Sequence, residues 1–293
     1  MLDYTHCTLC PRHCGVDRSR GQLGFCKMPG QLRVARAAAH YWEEPVISGS
    51  FGSGTVFFSG CTLGCVFCQN QQISHENFGK EITSAHLREI FEQLIDDGVQ
   101  NINLVTPTHF LPSILPALTP KLSVPVVYNC GGYERVETLR SLEGLVDVYL
   151  PDLKYADNAL AARLSRAPDY FETATAAIRE MYRQVGSAVL EDGQLTRGLL
   201  VRHLVLPGHL DNSLRVIEWL AETFPKRDVL VSLMSQYVPV GEQEPPLDRR
   251  LTAEEYAGAV SWLELCGLKN GYVQDAAAAT TEYLPAFDFE GLE

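Results

Sequence analysis

Nine cysteines are spread over 293 residues as two groups and two singles. Cys7, Cys10, Cys14 and Cys26 lie near the start, Cys61, Cys65 and Cys68 share one short run, and Cys130 and Cys266 stand alone. Thiolates are soft ligands, suited to zinc and to iron–sulfur clusters. The run Cys61-Thr62-Leu63-Gly64-Cys65-Val66-Phe67-Cys68 spaces three of them by three and two residues. Three ligands in so short a loop fit a cubane better than tetrahedral zinc, because a [4Fe-4S] cluster offers a separate iron to each sulfur. One iron then stays open. A structural zinc would need a fourth ligand, and His75 is the nearest candidate. Cys7, Cys10, Cys14 and Cys26 form a closed set, since four thiolates complete a tetrahedron for structural zinc or serve an auxiliary iron–sulfur cluster. Spacing does not separate those two. The glycines and prolines around the set, Pro11, Gly15, Gly21, Gly24 and Pro29, suit a knuckle whose folding depends on metal. Cys130 and Cys266 read as small buried hydrophobes.

Nine thiols serve as ligands more readily than as disulfides in a reducing compartment. No stretch approaches the ~18 to 20 apolar residues of a membrane span, and the first residues carry charges and cysteines where a signal peptide has an apolar core. The expected address is the cytoplasm, with no membrane contact. The net charge of −12 is uneven: residues 1–40 carry +4 and the remainder −16. This basic arm is short and attached to an acidic body, so docking on the chain's own acidic groups is the expected use. Nothing else points to a nucleic acid as partner.

These residues need elements to hold them. Short apolar or β-branched runs at 55–59, 101–105, 125–128, 146–150, 199–206 and 229–234 read as six buried strands, with 271–273 as a short seventh. Between them Leu87, Ile90, Phe91, Leu94 and Ile95 repeat at helical spacing, with Ser84 as N-cap and Gly98 as the stop. Phe171, Ala174, Ile178, Met181 and Val185 make a second stripe, and a third, with Trp262, Leu265 and Cys266, begins near Ala253. The alternation predicts an α/β fold in which a parallel sheet curves into a partial barrel of (β/α)6 type, its chemistry at the C-terminal strand ends. Three segments result: a cysteine-rich metal-binding extension over 1–45, the barrel over 46–275 and a loosely held acidic tail over 276–293. Gly49, Gly52 and Gly54 read as a flexible entry to the barrel, and His109, His203 and His209 as hydrogen-bonded structural imidazoles. Glu43, Glu44, Tyr133 and Gln236 are candidates to line a pocket.

The loop at 61–68, with Phe67 before its last cysteine, resembles the signature of the radical S-adenosylmethionine (SAM) superfamily. Over most of residues 55–275 the chain is similar to the pyruvate formate-lyase activating enzyme group. Asn129-Cys130-Gly131-Gly132-Tyr133, Pro151-Asp152-Leu153-Lys154 and Arg202-His203-Leu204-Val205-Leu206-Pro207-Gly208 stand where that group has its strand-end motifs. The resemblance implies a [4Fe-4S] cluster on Cys61, Cys65 and Cys68, with SAM on the open iron. Reductive cleavage would yield a 5'-deoxyadenosyl radical that abstracts hydrogen from a substrate. It further implies that Lys154 and Arg202 pair the SAM carboxylate, that Asp152 ligates a monovalent cation, and that Phe67 and Asn129 contact the cofactors. The group's turn for the SAM amine is absent; Val105-Thr106-Pro107-Thr108 stands there, so that contact falls to Thr106, Thr108 or backbone carbonyls.

The implied partners are a low-potential electron donor of flavodoxin or ferredoxin type and a protein substrate, for instance one receiving a glycyl radical. A flexible segment of it would enter through the unclosed side of the barrel. A radical SAM enzyme for a small molecule and a non-catalytic iron–sulfur carrier remain as alternatives.

Overall fold

The computed structural model describes residues 2–274 and 285–293. The elements are β1 (Arg33–His40), α1 (Pro45–Ser48), β2 (Ser53–Phe58), α2 (Gln71–Ser74), β3 (Lys80–Glu81), α3 (Ser84–Asp96), β4 (Ile102–Val105), α4 (Leu111–Ala117), β5 (Val126–Cys130) and α5 (Val136–Leu139). They continue with β6 (Val148–Pro151), α6 (Asn158–Ser165), α7 (Tyr170–Val185), β7 (Val189–Glu191), β8 (Gln194–Leu204), α8 (Leu210–Thr223), β9 (Val229–Met234), α9 (Ala253–Leu265) and β10 (Gly271–Val273). All seven expected strands form. Their order across one sheet is β10-β9-β8-β6-β5-β4-β2-β1-β3, and every pair from β10 to β2 is parallel. Among the described residues the path ends at β10 and β3, so the sheet is open and no closed barrel forms. No described helix is long and apolar enough to cross a membrane.

The period of two along each strand sorts side chains onto two faces. Val56, Leu104, Tyr128, Tyr149, Val201 and Val231 join the large core beneath the long helices. Val127, Val148, Leu150, Leu200 and Leu230 point the other way and pack against Val46 and Ile47 of α1. This second face is where the unclosed barrel was expected to admit a substrate segment. In the structure α1 covers its lower part.

Several boundaries differ from expectation. Thr83, not Ser84, caps α3, its hydroxyl accepting from the His86 N–H. In α9 the buried side is Tyr256, Ala259 and Leu263, while Leu265 is 76% exposed. Gly54 lies inside β2, where a Cβ would come within 2.9 Å of the Asn101 carbonyl oxygen. That glycine is a packing requirement, not a flexible entry. β1, placed in the extension by sequence, pairs antiparallel with β2 in the main sheet. The part of the tail that is described, 285–293, is held rather than loose. Ala37 N–H bonds to the Glu290 carbonyl, Phe289 N–H to that of Ala35, Arg36 pairs with Asp288 and Glu290, and Leu292 is 1% exposed. Tail residues 276–284 lie outside the described residues.

Candidate active site and its cysteine loop

The cysteine loop leaves the C-terminal end of β2. Each thiol accepts one hydrogen bond: Cys61 Sγ from the Leu63 N–H at 3.4 Å, Cys65 Sγ from the Ser165 hydroxyl at 2.9 Å and Cys68 Sγ from the Ser74 hydroxyl at 3.3 Å. Donors aimed at sulfur favour the thiolate. Without metal, burial pushes the Cys61 thiol up to about 12, and Cys65 and Cys68 add to the effect. Burial also raises Cys68.

Beside the loop lies a chain of charge. Lys154 Nζ donates to Asp152 Oδ2 at 2.5 Å, Arg202 Nε to Asp152 Oδ1 at 2.8 Å, Arg202 Nη1 to Glu43 Oε2 at 3.1 Å and Arg202 Nη2 to Asn129 Oδ1 at 2.6 Å. Burial works against Lys154's charge, but Asp152 and the Cys65 sulfur outweigh it and raise its pKa to about 12. Burial likewise opposes the Asp152 carboxylate, and Arg202 and Lys154 hold it below the ordinary value. Lys154 also favours the Cys68 thiolate, so this cation stands between the loop and the carboxylates.

Strand register makes a row of these residues. Phe57 pairs with Val105, Val105 with Asn129 and Asn129 with Leu150; across the Asp152–Arg202 bridge, Arg202 pairs with Ser232 and Ser232 with Tyr272. This row faces the same way as α1, one step nearer the C-terminal strand ends. It lines a cavity of about 240 Å³, roofed by Glu43, Glu44, Asn70 and Gln236. Burial pushes Glu44 up to about 7; Arg202 opposes the shift and Glu43 adds to it.

Residues 48–110, which contain β2 and the three loop cysteines, match the family model of a 4Fe-4S single cluster domain. The whole chain has a curated relative. It is 32% identical over 274 residues, 89% of this chain and 75% of the relative, to the uncharacterized protein MJ0674 of Methanocaldococcus jannaschii. The chain belongs to the MJ0674 family. Its fold is similar to that of Streptococcus suis SuiB in the crystal structure with the precursor peptide SuiA, with a TM-score of 0.50 at 14% identity. That likeness covers 73% of this chain and 46% of SuiB, so the chain spans about half the length of that protein. It bears out the expected α/β fold with a mostly parallel sheet, in the form of an open sheet.

In this MJ0674-family chain the structure joins Asn129, Asp152, Lys154 and Arg202 into one network and sets Thr106 at its edge. Thr106 donates its N–H to the Asn129 carbonyl and holds φ at +58°, a strained conformation for a β-branched residue and one found at working sites. The Thr108 hydroxyl is committed to Glu134 at 2.8 Å, away from the cavity. Both Asp152 carboxylate oxygens accept from cations, so the residue forms strand-end ion pairs with Lys154 and Arg202. Phe67 packs in the core, 6.1 Å from the Tyr237 ring. Gly132, at φ +78°, brings its turn against the Asp152 carbonyl, where a Cβ would collide. Glu43, Glu44 and Gln236 reach the cavity, whereas Tyr133 binds Asp169 instead. His203 is structural as expected: Nδ1 lies 2.6 Å from the Leu153 carbonyl oxygen and Nε2 2.8 Å from the Ser213 hydroxyl.

The N-terminal cysteines fold into a knuckle against the loop. Phe25 N–H donates to Cys14 Sγ at 3.3 Å, and Gly24 leaves no room for a Cβ, which would meet Cys14 Sγ at 2.9 Å. Within the basic arm Arg33 and Arg36 dock on acidic side chains as expected, Glu81 and the Asp288 and Glu290 pair, whereas Arg12 and Arg18 dock on carbonyls. Arg12 donates to the Thr62, Leu63, Ser165 and Arg166 carbonyls and lies over the Phe25 ring. Arg18, 0% exposed, donates to the Met28, Pro29 and His109 carbonyls and to Cys7 Sγ at 3.7 Å. Among the described residues it has no carboxylate partner. Nor do three or more described His, Cys, Asp or Glu side chains gather anywhere into a set that could hold a metal ion. Sequence reasoning missed Arg18 and Ser165, whose partners lie far along the chain, and also Asn70, Ser74 and Ser232.

Proposed function

We propose that this chain is a radical SAM enzyme. The observation that carries the reading is the continuous path from the hydrogen-bonded cysteine loop through Lys154, Asp152 and Arg202 to a polar cavity at the strand ends. Cys61, Cys65 and Cys68 would hold the cluster, which when reduced supplies the electron for reductive SAM cleavage. Lys154 uses one of its three N–H donors and Arg202 three of its five among the described residues, which leaves both with capacity for the SAM carboxylate. The strained Thr106 turn presents its hydroxyl and backbone to the amine.

The finer reading is activase-like hydrogen abstraction from a protein partner, supported by the strand-end motifs and by a cavity sized for one side chain. An acidic electron donor fits a second cavity of about 500 Å³ beside Cys61, whose lining includes Lys27, His75 and Arg166. The four N-terminal cysteines would hold a further metal centre, zinc or an auxiliary cluster, whose negative charge the buried Arg18 balances.

The test is anaerobic incubation with SAM and a low-potential reductant. 5'-Deoxyadenosine should form. The variant with Cys61, Cys65 and Cys68 all changed to Ala should lose about four irons and all cleavage, while any metal at the N-terminal set stays. Zinc alone in the loop refutes the reading.

A further inference from the structure

Three oxygens lining the cavity at the strand ends have no hydrogen-bond partner among the described residues: Glu44 Oε2, Asn70 Oδ1 and Ser232 Oγ. Their side chains come from three parts of the chain, the lead into α1, the segment after Cys68 and β9. Glu44 is 8% exposed and Ser232 1%. The Ser232 hydroxyl favours ionised Glu44 as a hydrogen-bonding side chain does, and its own oxygen stays free to accept. Burying polar oxygens without partners costs about 1 to 3 kcal/mol each, so a site that keeps three is built for something that donates.

Neighbouring Glu43 shows the contrast. Both of its oxygens are engaged, by Arg202 and by Asn129. Glu44 has no such commitment for Oε2. Carboxylate and amide oxygens only accept, and a hydroxyl can accept, so these atoms suit a group with several N–H donors and positive charge. Phe57, Val105 and Met234 supply apolar wall in the same cavity, a surface that suits an alkyl chain and is of no use to a bare metal cation.

We propose that this cavity receives a primary alkylammonium group of the substrate, bound by Glu44 with Asn70 and Ser232. The group's three N–H donors match the three free acceptors, and its alkyl stem lies along the apolar wall. The proposal rests on reading the cavity as the substrate pocket of the enzyme proposed above, and it names the chemical class of that substrate.

The probes are n-butylammonium and its uncharged counterpart 1-butanol, titrated calorimetrically into the full chain reconstituted with iron and sulfide. Butylammonium should bind at least about tenfold more tightly, as hydrogen bonds to a charged group imply. Glu44→Gln should erase most of that preference, and Ser232→Ala should reduce it severalfold, which keeps the test alive if the first variant folds poorly. Equal binding of the two probes, or a preference that survives Glu44→Gln, overturns the proposal. So does displacement of butylammonium by sodium or potassium at equal concentration, which would mark a metal-cation site. A matching loss of SAM affinity in Glu44→Gln would assign the ammonium to SAM and also overturn it. SAM cleavage is measured on the same preparations: a retained ammonium preference without cleavage supports this site and removes only the enzymatic reading.

Discussion

Behind the N-terminal thiols stands Arg18, fully buried and bonded to carbonyls and to Cys7; behind the loop thiols stand Lys154 and Arg202, paired with Asp152 and Glu43 at the mouth of a cavity. The first region is sealed. Its cation has no carboxylate among the described residues, and it faces Cys7 and Cys26 instead. The second region is open: its cations keep N–H donors unused among the described residues, and the cavity next to them keeps unpaired acceptors. Four thiolates with a locked cation suit a centre that supports structure or passes electrons, and three thiolates beside cations with unused donors suit one that binds a ligand.

The largest effect that would break this contrast is at Arg18. If the N-terminal sulfurs form an anionic metal centre, Arg18→Met leaves it uncompensated and should cost ~3 to 5 kcal/mol of stability in denaturant. The loss should shrink after metal is stripped with a chelator. A loss independent of metal would mean that Arg18 serves only the carbonyls.

On the other side of the comparison, His203 bonds to the Leu153 carbonyl beside Lys154. Burial lowers its pKa to about 4, from 6.5 when unfolded. The unfolded chain therefore binds more protons between those values, so the stability His203 provides is present above pH 6.5 and is lost as pH falls toward 4. The change is roughly 3 kcal/mol. His203→Gln should flatten that part of a stability–pH profile, and an unchanged slope would contradict the buried neutral imidazole.

The smallest effects sharpen the contrast. Lys154→Ala and Arg202→Ala should each weaken SAM binding by ~1.5 to 3 kcal/mol with the cluster retained, as measured by equilibrium dialysis of the reconstituted protein. Unchanged affinity in both would make them strand-end ion pairs alone.

The ligand loop, the parallel strands and the strand-end motifs were legible in the sequence because each is local. A thiolate triplet fixes its own spacing, a buried strand shows as an apolar run, and α3 and α7 show as stripes of period 3.6. α6 and α8 escaped notice although their buried residues are regularly spaced, and α9 was placed correctly with its buried face misjudged. What sequence could not give were pairings across distance. Arg18 and His109 meet over 91 positions, Ser165 and Cys65 over 100, and Glu43 and Arg202 over 159. Sequence showed a basic arm and a likeness in motifs; the burial of Arg18 arose only when the fold brought Met28, Pro29 and His109 around it, and the engagement of both Asp152 oxygens and the solitude of Glu44 Oε2 only when register set β6, β8 and β9 side by side beneath α1. Local spacing decides which atoms can be ligands, because chain geometry acts over a few residues. Charge state and free valence depend on every neighbour the fold brings near, so tertiary structure decided those.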